Sequence, residues 1–418
     1  MDPSEVRGIK STYSRVLEGK KIGLGITGSV SAYKAVDLAR ALIRRGAEVY
    51  AIASTEALRY VGRDLLEWAI GSPLISDFSG LHTHISYMEM LDIFIIAPAT
   101  GNTISKIAHG IADTSVALLA QSFMGASKPV LIVPSMHASL LNSPSMARSM
   151  KILQEYENVF VLDPLVEEGK AKFPPVDIIA WKTEAVLHSG EDLRGMKILV
   201  TAGPTREYID SVRFISNPST GKMGIALAVE AALRGAEVML VHGPLSSKPP
   251  YVLRKKISVT TTEEMRDAVL EELRNNSYDA VIMAAAPIDY KPKAAIKGKI
   301  DSHEVRDLRL ELVSTPKILK DVREVFKGVL VGFTAETPSS DEELVSLALA
   351  KLNKYKVDLM IANNVSRSDI GFASDFNEVH LLFRNGRRVK LEYSRKEYIA
   401  RGILDYVVTM LKDGKNSR

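Results

Sequence analysis

Cysteine is absent from the 418 residues. Disulfides, thiolate metal sites, iron–sulfur clusters and cysteine nucleophiles are therefore excluded, as is secretion behind a disulfide framework. Glutamine is nearly absent too, occurring only at Gln121 and Gln154. Scarce Gln and missing Cys beside abundant Glu, Lys and Arg fit a heat-adapted composition, although genomic base composition can produce the same bias. Long hydrophobic runs are lacking: Ile93–Pro98 and Val130–Pro134 span five or six residues, far short of a bilayer. The stretch Met1–Lys21 is polar and mixed in charge, without the apolar core of a signal peptide, so a cytoplasmic protein is expected. Neither charge sign is in excess. Lys and Arg number 54 against 50 Asp and Glu, for a net charge of +4. No basic tail concentrates it, so neither nucleic acid nor membrane is an expected partner.

What is present is ordinary for a folded protein, with 46% hydrophobic and 25% charged residues, and the length suits two to three domains. Strand and helix signals alternate. Lys21–Ile26 is an apolar run ending in Thr27-Gly28-Ser29, and Ala32, Ala35, Val36, Ala39 and Ile43 then recur at helical spacing from Ser31 to Arg45. Gly46 stops that helix before a strand at Val49–Ala53. The pattern returns as a strand at Lys197–Thr201, a helix at Met223–Arg234, Gly235, and a strand at Val238–Val241. Arg45-Gly46-Ala47-Glu48-Val49 is even matched by Arg234-Gly235-Ala236-Glu237-Val238. Each half thus opens with a βαβ unit, which predicts α/β architecture with largely parallel sheets and right-handed crossovers. The two Rossmann-like domains are expected to differ, because the loop after the first strand is tight in one and runs from Ala202 to Lys222 in the other. Ser189-Gly190-Glu191-Asp192 marks the expected boundary, giving domains 1–188 and 189–418. Further strands are expected at Ala280–Ala284, Gly328–Phe333 and Leu359–Ala362, followed by a hairpin of Val379–Phe383 and Val389–Glu392 around Asn385-Gly386.

The first glycine turn, with Gly25 and Gly28 between strand and helix, suggests a phosphate on a helix N-terminus. A dinucleotide site would add an acidic residue at the end of the second strand. Glu48 begins that strand, and Ser54 and Thr55 end it, so a mononucleotide such as FMN is preferred to NAD. A plain structural turn is the alternative. His82-Thr83-His84 reads either as solvated loop histidines or as the source of one acid–base histidine; no clustered third ligand supports a metal. Pro98–Thr103 and Pro134–His137 follow buried strands, where the ligand crevice of a doubly wound sheet lies. Tyr251-x-x-x-Lys255 has the spacing of a short-chain NAD oxidoreductase, but it stands behind Pro249-Pro250 with no clear helix.

Several longer motifs then make a resemblance specific. Thr27–Lys34, His84-Ile85, Pro98–Thr103 and Pro134–His137 resemble the cysteine-decarboxylating flavoproteins. Thr201–Glu207, Arg213–Gly224, Gly332–Thr337 and Ala362–Val365 resemble phosphopantothenate–cysteine ligase. In this order they cover almost the whole chain and resemble the bifunctional phosphopantothenoylcysteine decarboxylase/phosphopantothenate–cysteine ligase family of coenzyme A biosynthesis. A noncatalytic regulatory flavoprotein that binds protein partners is the alternative class.

The resemblance implies noncovalent FMN in the first domain. Gly28, Ser29, Ser31 and Ser54 match phosphate-side positions, and Ala97, Pro98, Ala99, Thr100 and Thr103 border the flavin. His84 matches the catalytic base, while His137 and Asn102 match substrate-binding positions. In that family FMN oxidises the cysteinyl thiol to a thioaldehyde, whose C=S bond serves as electron sink while carbon dioxide leaves, and the reduced flavin returns the electrons. Two departures stand out. The family's Pro-x-Met-Asn-x-x-Met-Trp reads Pro134-Ser135-Met136-His137-Ala138-Ser139-Leu140-Leu141 here, so the Asn that grips the substrate carboxylate becomes His137. The flap that carries a cysteine in many relatives corresponds to Val166–Pro175, which holds Lys170 and Lys172 instead.

For the second domain the resemblance implies that CTP, with ATP also possible, activates 4′-phosphopantothenate as an acyl-nucleotide that cysteine then attacks, with Mg²⁺ offsetting triphosphate charge. Arg213, Asn217 and Lys299 would be catalytic, with Lys297 a rival for Lys299. Gly203, Ser219, Thr220, Gly221, Asp289, Phe333 and Lys351 would bind the nucleotide; no metal ligands are assigned. Taken alone, each lysine reads as a solvated charge. The family implies homo-oligomers, trimers through the flavin domain and dimers through the ligase, together a possible dodecamer.

Overall fold

The computed structural model describes residues 4–76, 83–301, 303, 307–367 and 369–416. The chain forms two compact units, Met1–Gly190 and Glu191–Arg418.

In the first unit five parallel strands, β1 (Lys21–Ile26), β2 (Glu48–Ala53), β3 (Ile93–Ala99), β4 (Val130–Pro134) and β5 (Val159–Val161), lie in the order β2-β1-β3-β4-β5. β3 is buried along its whole length, as expected of a strand with helices on both faces of its sheet. The crossover helix Lys34–Arg44 turns Ala35, Val36, Leu38, Ala39, Leu42 and Ile43 inward. It starts later than its apolar spacing predicts, because Val30–Tyr33 forms a 3₁₀ turn capped by the Ser29 side chain. His84 stands on a helix, Thr83–Met90, rather than in the loop the sequence suggested; His82 lies outside the described residues. The flap stretch is a hairpin, Leu165–Glu167 with Lys170–Lys172. It pairs antiparallel with Met136–His137 to make a separate small sheet.

The second unit holds an eight-stranded sheet. Its strands are β6 (Lys197–Ala202), β7 (Glu237–His242), β8 (Lys255–Ser258), β9 (Ala280–Met283), β10 (Val329–Glu336), β11 (Leu359–Asn364), β12 (Phe376–Phe383) and β13 (Arg388–Arg395). The order is β8-β7-β6-β9-β10-β11-β12-β13. The first six are parallel and the closing hairpin is antiparallel. Both βαβ openings pair in parallel, β1 with β2 and β6 with β7, so the α/β reading holds for each unit. Helix Lys222–Leu233 packs against the long helix Lys396–Asn416 through buried charge: Glu230 accepts from Arg401 at 2.9 Å. At the same helix's end, Arg234 grips Asp192 at 2.6 and 2.8 Å and Asp405 at 2.7 Å.

Gly224 sets how closely that helix approaches β6. A Cβ there would lie 2.6 Å from the Ala202 Cβ and 2.7 Å from the Thr201 carbonyl oxygen, and a backbone oxygen cannot rotate away. Gly224→Ala is expected to destabilise by about 1–3 kcal/mol through overpacking, seen as a lowered midpoint in thermal unfolding. An unchanged midpoint would mean the helix can retreat at no cost.

Candidate functional site

In a doubly wound sheet the crevice opens beyond the carboxyl ends of the strands where strand order reverses. For the first unit that point lies between β1 and β3. Buried Thr27, just past β1, donates its hydroxyl to the Pro98 carbonyl at 2.7 Å and accepts from the Thr100 N–H at 3.1 Å. It thereby ties the two loops together beside the cis Ala97–Pro98 bond. Thr100 caps the helix Gly101–Ala108, its hydroxyl 3.1 Å from that of Thr103, with Asn102 exposed in the first turn. The Ser29 and Ser31 hydroxyls converge on Ser135, at 3.4 and 3.1 Å. Ser54 accepts a hydrogen bond from Ala57 N–H at 3.2 Å just past β2. Ser135 is a functional candidate that residue-by-residue reasoning missed. The signal was its place in Pro134–His137, but only the fold brings the end of β4 to the turn after β1.

His137 begins the short helix Ala138–Leu141. Its Nδ1 accepts from Ser139 N–H at 3.4 Å and lies 2.9 Å from the Ser139 hydroxyl. An accepting Nδ1 assigns the proton to Nε2, which leaves a donor for an anion. Across the small sheet His137 pairs with Lys170. Lys172 is held by Glu168 at 3.0 Å and Glu167 at 3.4 Å, and the hydrogen bond it donates to Glu168 raises its pKa. Lys170 has no carboxylate within ion-pair distance among the described residues.

In the second unit the order reverses between β6 and β9, and a cavity of about 520 Å³ opens there. Asn217, Ser219, Gly221, Asp289, Phe333 and Lys351 all line it. Asn217 donates to the Ala286 and Pro287 carbonyls at 3.2 and 3.1 Å, joining the two switch-point loops. Asp289 is ion-paired with Lys317. Lys351 meets the Thr334 hydroxyl at 2.9 Å and the Glu336 carboxylate, so its charge is already matched. Gly203 and Thr220 do not line the cavity. Gly203 packs under Gly221, where a Cβ on Gly221 would reach its backbone at 3.3 Å; both glycines have positive φ. The Thr220 hydroxyl donates to Phe372 O at 2.9 Å.

Arg213 and Lys299 also lie off the cavity wall, in a cluster of their own. Arg213 donates to Asp210 at 2.6 Å and to the Ile300 carbonyl at 3.1 Å. Asp210 is buried and also accepts from the N–H groups of Arg213, Val212 and Ile300 at 2.6, 2.8 and 3.2 Å. These donors, the Arg213 N–H foremost, hold its carboxyl well below the usual carboxylate range. The Lys297–Lys299 loop is therefore fastened to the Arg213 loop.

Lys222, Lys317 and Lys396 line the cavity as well; of these only Lys222 lies in a motif read from the sequence. Burial pushes Lys396 down to about 8, with repulsion from Lys222 adding to the shift and Asp375 opposing it. Tyr251 and Lys255 do not form an oxidoreductase pair, because Lys255 opens β8 and pairs with Glu237. No group of three or more potential metal-ligating His, Asp or Glu residues occurs among the described residues. Among the described residues no helix is long and apolar enough to cross a membrane.

Two families match this chain: "Flavoprotein" over residues 10–188, and the DNA/pantothenate metabolism flavoprotein C-terminal domain over 193–411. The coenzyme A biosynthesis bifunctional protein CoaBC of Thermococcus kodakarensis is 40% identical over 411 residues, spanning 97% of this chain and 99% of that relative. This chain belongs to the CoaBC family. The CoaBC of Methanocaldococcus jannaschii is 35% identical over 99% of this chain and 98% of its own. A crystal structure of a CoaBC C-terminal domain is 36% identical, covers 53% of this chain and 99% of that one, and gives a TM-score of 0.44. As a CoaBC protein the chain is a bifunctional decarboxylase and ligase of coenzyme A biosynthesis.

Asp210 makes the ligase cluster sensitive to acid. A carboxyl whose folded pKa is depressed adds stability above its unfolded pKa, about 4, and loses it as pH falls through the folded value. Asp210→Asn should lower stability at neutral pH and flatten its decline below about pH 4, as followed by urea unfolding across pH. Parallel acid limbs would remove Asp210 from this role.

Proposed function

We propose that residues 10–188 decarboxylate 4′-phosphopantothenoylcysteine with FMN, and that residues 193–411 make that substrate from 4′-phosphopantothenate and cysteine with CTP. The observation that carries the flavin reading is the convergence of Ser29, Ser31 and Ser135 at the β1/β3 switch point. Three hydroxyls beside a capped 3₁₀ turn offer hydrogen-bond donors to the oxygens of a phosphate monoester. Ser54 and Gly28 complete that end, while Ala97, Pro98, Ala99, Thr100 and Thr103 form the edge against the ring. Bound FMN supplies the two-electron chemistry at the thiol-bearing carbon.

The chain's own groups bind, orient and move protons. His84 takes the proton of the substrate thiol. His137 Nε2–H donates to the substrate carboxylate, and Asn102 adds a second donor. Lys170 stands across the small sheet from His137 and supplies the proton that a flap thiol would give. In the ligase, Phe333 and Asp289 address the base, and Ser219 and Gly221 the phosphates, with Gly203 and Thr220 shaping that turn and Lys351 alongside. Arg213, Asn217 and Lys299 handle the acyl-nucleotide. Mg²⁺ enters with the triphosphate as part of the substrate. The enzyme works in the cytoplasm as a homo-oligomer, trimeric through its first region and dimeric through its second.

Supplying phosphopantothenate and cysteine with CTP or ATP, and following acyl-cysteine and carbon dioxide separately, tests both halves. CTP should support faster ligation than ATP. His84→Asn should lower carbon dioxide release by about 10²–10⁴-fold and leave ligation intact; a regulatory flavoprotein would release none with either histidine or asparagine.

Lys170→Met separates the last step from the rest. Carbon dioxide release should persist while the unsaturated thiol accumulates over 4′-phosphopantetheine by chromatography, whereas Lys172→Met should release carbon dioxide and form 4′-phosphopantetheine normally. Normal product from Lys170→Met would assign the proton to water.

A further inference from the structure

Lys396 is the most heavily buried cation on the cavity wall, at 6% exposure. Its ammonium donates to the Gly371 and Phe372 carbonyls at 3.1 and 3.2 Å. Two of its three N–H groups are thus satisfied, and no carboxylate lies within ion-pair distance of it among the described residues. A buried charge without a counter-charge is costly. Lys222 also lines the cavity. It reaches the Ala373 carbonyl at 2.8 Å and Asp375 at 2.7 Å. Each lysine is the first residue of a helix, Lys222–Leu233 or Lys396–Asn416, so two positive helix ends add to the two ammonium groups. Against these four positive contributions the described residues set one carboxylate, Asp375.

We propose that Lys396 and Lys222 form the anchor for the pyrophosphate portion of the nucleotide, whose charge supplies the counter-ion that Lys396 lacks. This rests on the ligase reading above. In the activation step a carboxylate oxygen of phosphopantothenate bonds to the α-phosphorus. The bond from that phosphorus to the bridging oxygen breaks, and the electron pair leaves with pyrophosphate. Lys396 and Lys222 hold that growing negative charge. The two groups also pin the 371–375 loop by its carbonyls, so ligand and loop order are coupled at one place.

The test uses the full-length protein with inorganic pyrophosphate, inorganic phosphate and phosphopantothenate as separate calorimetric titrants. Wild type should bind pyrophosphate more tightly than phosphate. Lys396→Met should weaken pyrophosphate about 10- to 100-fold, the loss of one charge-assisted contact, and raise the KM for CTP while that for cysteine stays put. Lys396→Arg should restore part of both. Weakened phosphopantothenate binding with pyrophosphate unchanged would move the site to the other substrate's phosphate and overturn the assignment. A purely structural lysine would lower the unfolding midpoint without touching pyrophosphate affinity, which also overturns it. Should Lys396→Met fail to fold, Lys222→Gln and the wild-type protein decide. Absence of thermal stabilisation of wild type by millimolar pyrophosphate, or undiminished binding in Lys222→Gln, refutes the anchor. Pyrophosphate binding lost in Lys396→Met while wild type fails to ligate with CTP would instead keep the anchor and discard the ligase reading.

Discussion

The central strands of both main sheets are buried on each face, and this constraint decides where chemistry can occur. β3 and β9 carry no exposed residue along their lengths, so polar groups have no place within them. They gather past the carboxyl ends, where the backbone leaves the sheet and strand order reverses. In each unit a polar side chain joins the two loops at that point. Thr27 bonds to the backbone of Pro98 and Thr100, and Asn217 to that of Ala286 and Pro287. The same topological rule thus yields two sites of different chemical character, one built from hydroxyls and the other from ammonium groups.

Charge matching separates the lysines of the second site better than position does. Lys317 faces Asp289, Lys351 faces Glu336 and Lys222 faces Asp375. Each of these pairs can exist without ligand, and being largely exposed each contributes little to stability. Lys396 differs because it is buried and its hydrogen-bond partners are neutral carbonyls. The cost of keeping it charged falls on the ligand-free protein and is relieved when an anion arrives, so part of the binding energy is stored in the fold.

Much of the architecture was legible because glycine stops, strand-length apolar runs and helical spacing follow from local chemistry. The repeated Arg-Gly-Ala-Glu-Val segments mark equivalent helix ends and strand starts in both units, and Gly46 and Gly235 both take positive φ there. Local motifs pointed to the turn Thr100–Thr103 after β3 and, before a helix, to Ser219 and Gly221, both of which line the cavity. What escaped was non-local. Ser135 gains its importance from Ser29 and Ser31, more than 100 positions away. Lys396 resembles any surface lysine until the 371–375 loop closes over it. His84 read as loop because Thr83–Met90 has no fully buried residue, so helical periodicity was too weak to see.

The missing cysteine gains a structural counterpart at the flap. The hairpin Leu165–Lys172 is short, and its turn, Glu168-Gly169, carries positive φ at both residues, which fixes the two strands in register. That register sets Lys170 opposite His137 and turns Lys172 toward Glu167 and Glu168. Alternation along a strand sends neighbouring side chains to opposite faces, so the two lysines share a face while Ala171 between them is buried. Among the described residues a carboxylate lies within ion-pair distance of Lys172 and none within that distance of Lys170. The register therefore places Lys170 across from His137, and a turn of two residues puts it there.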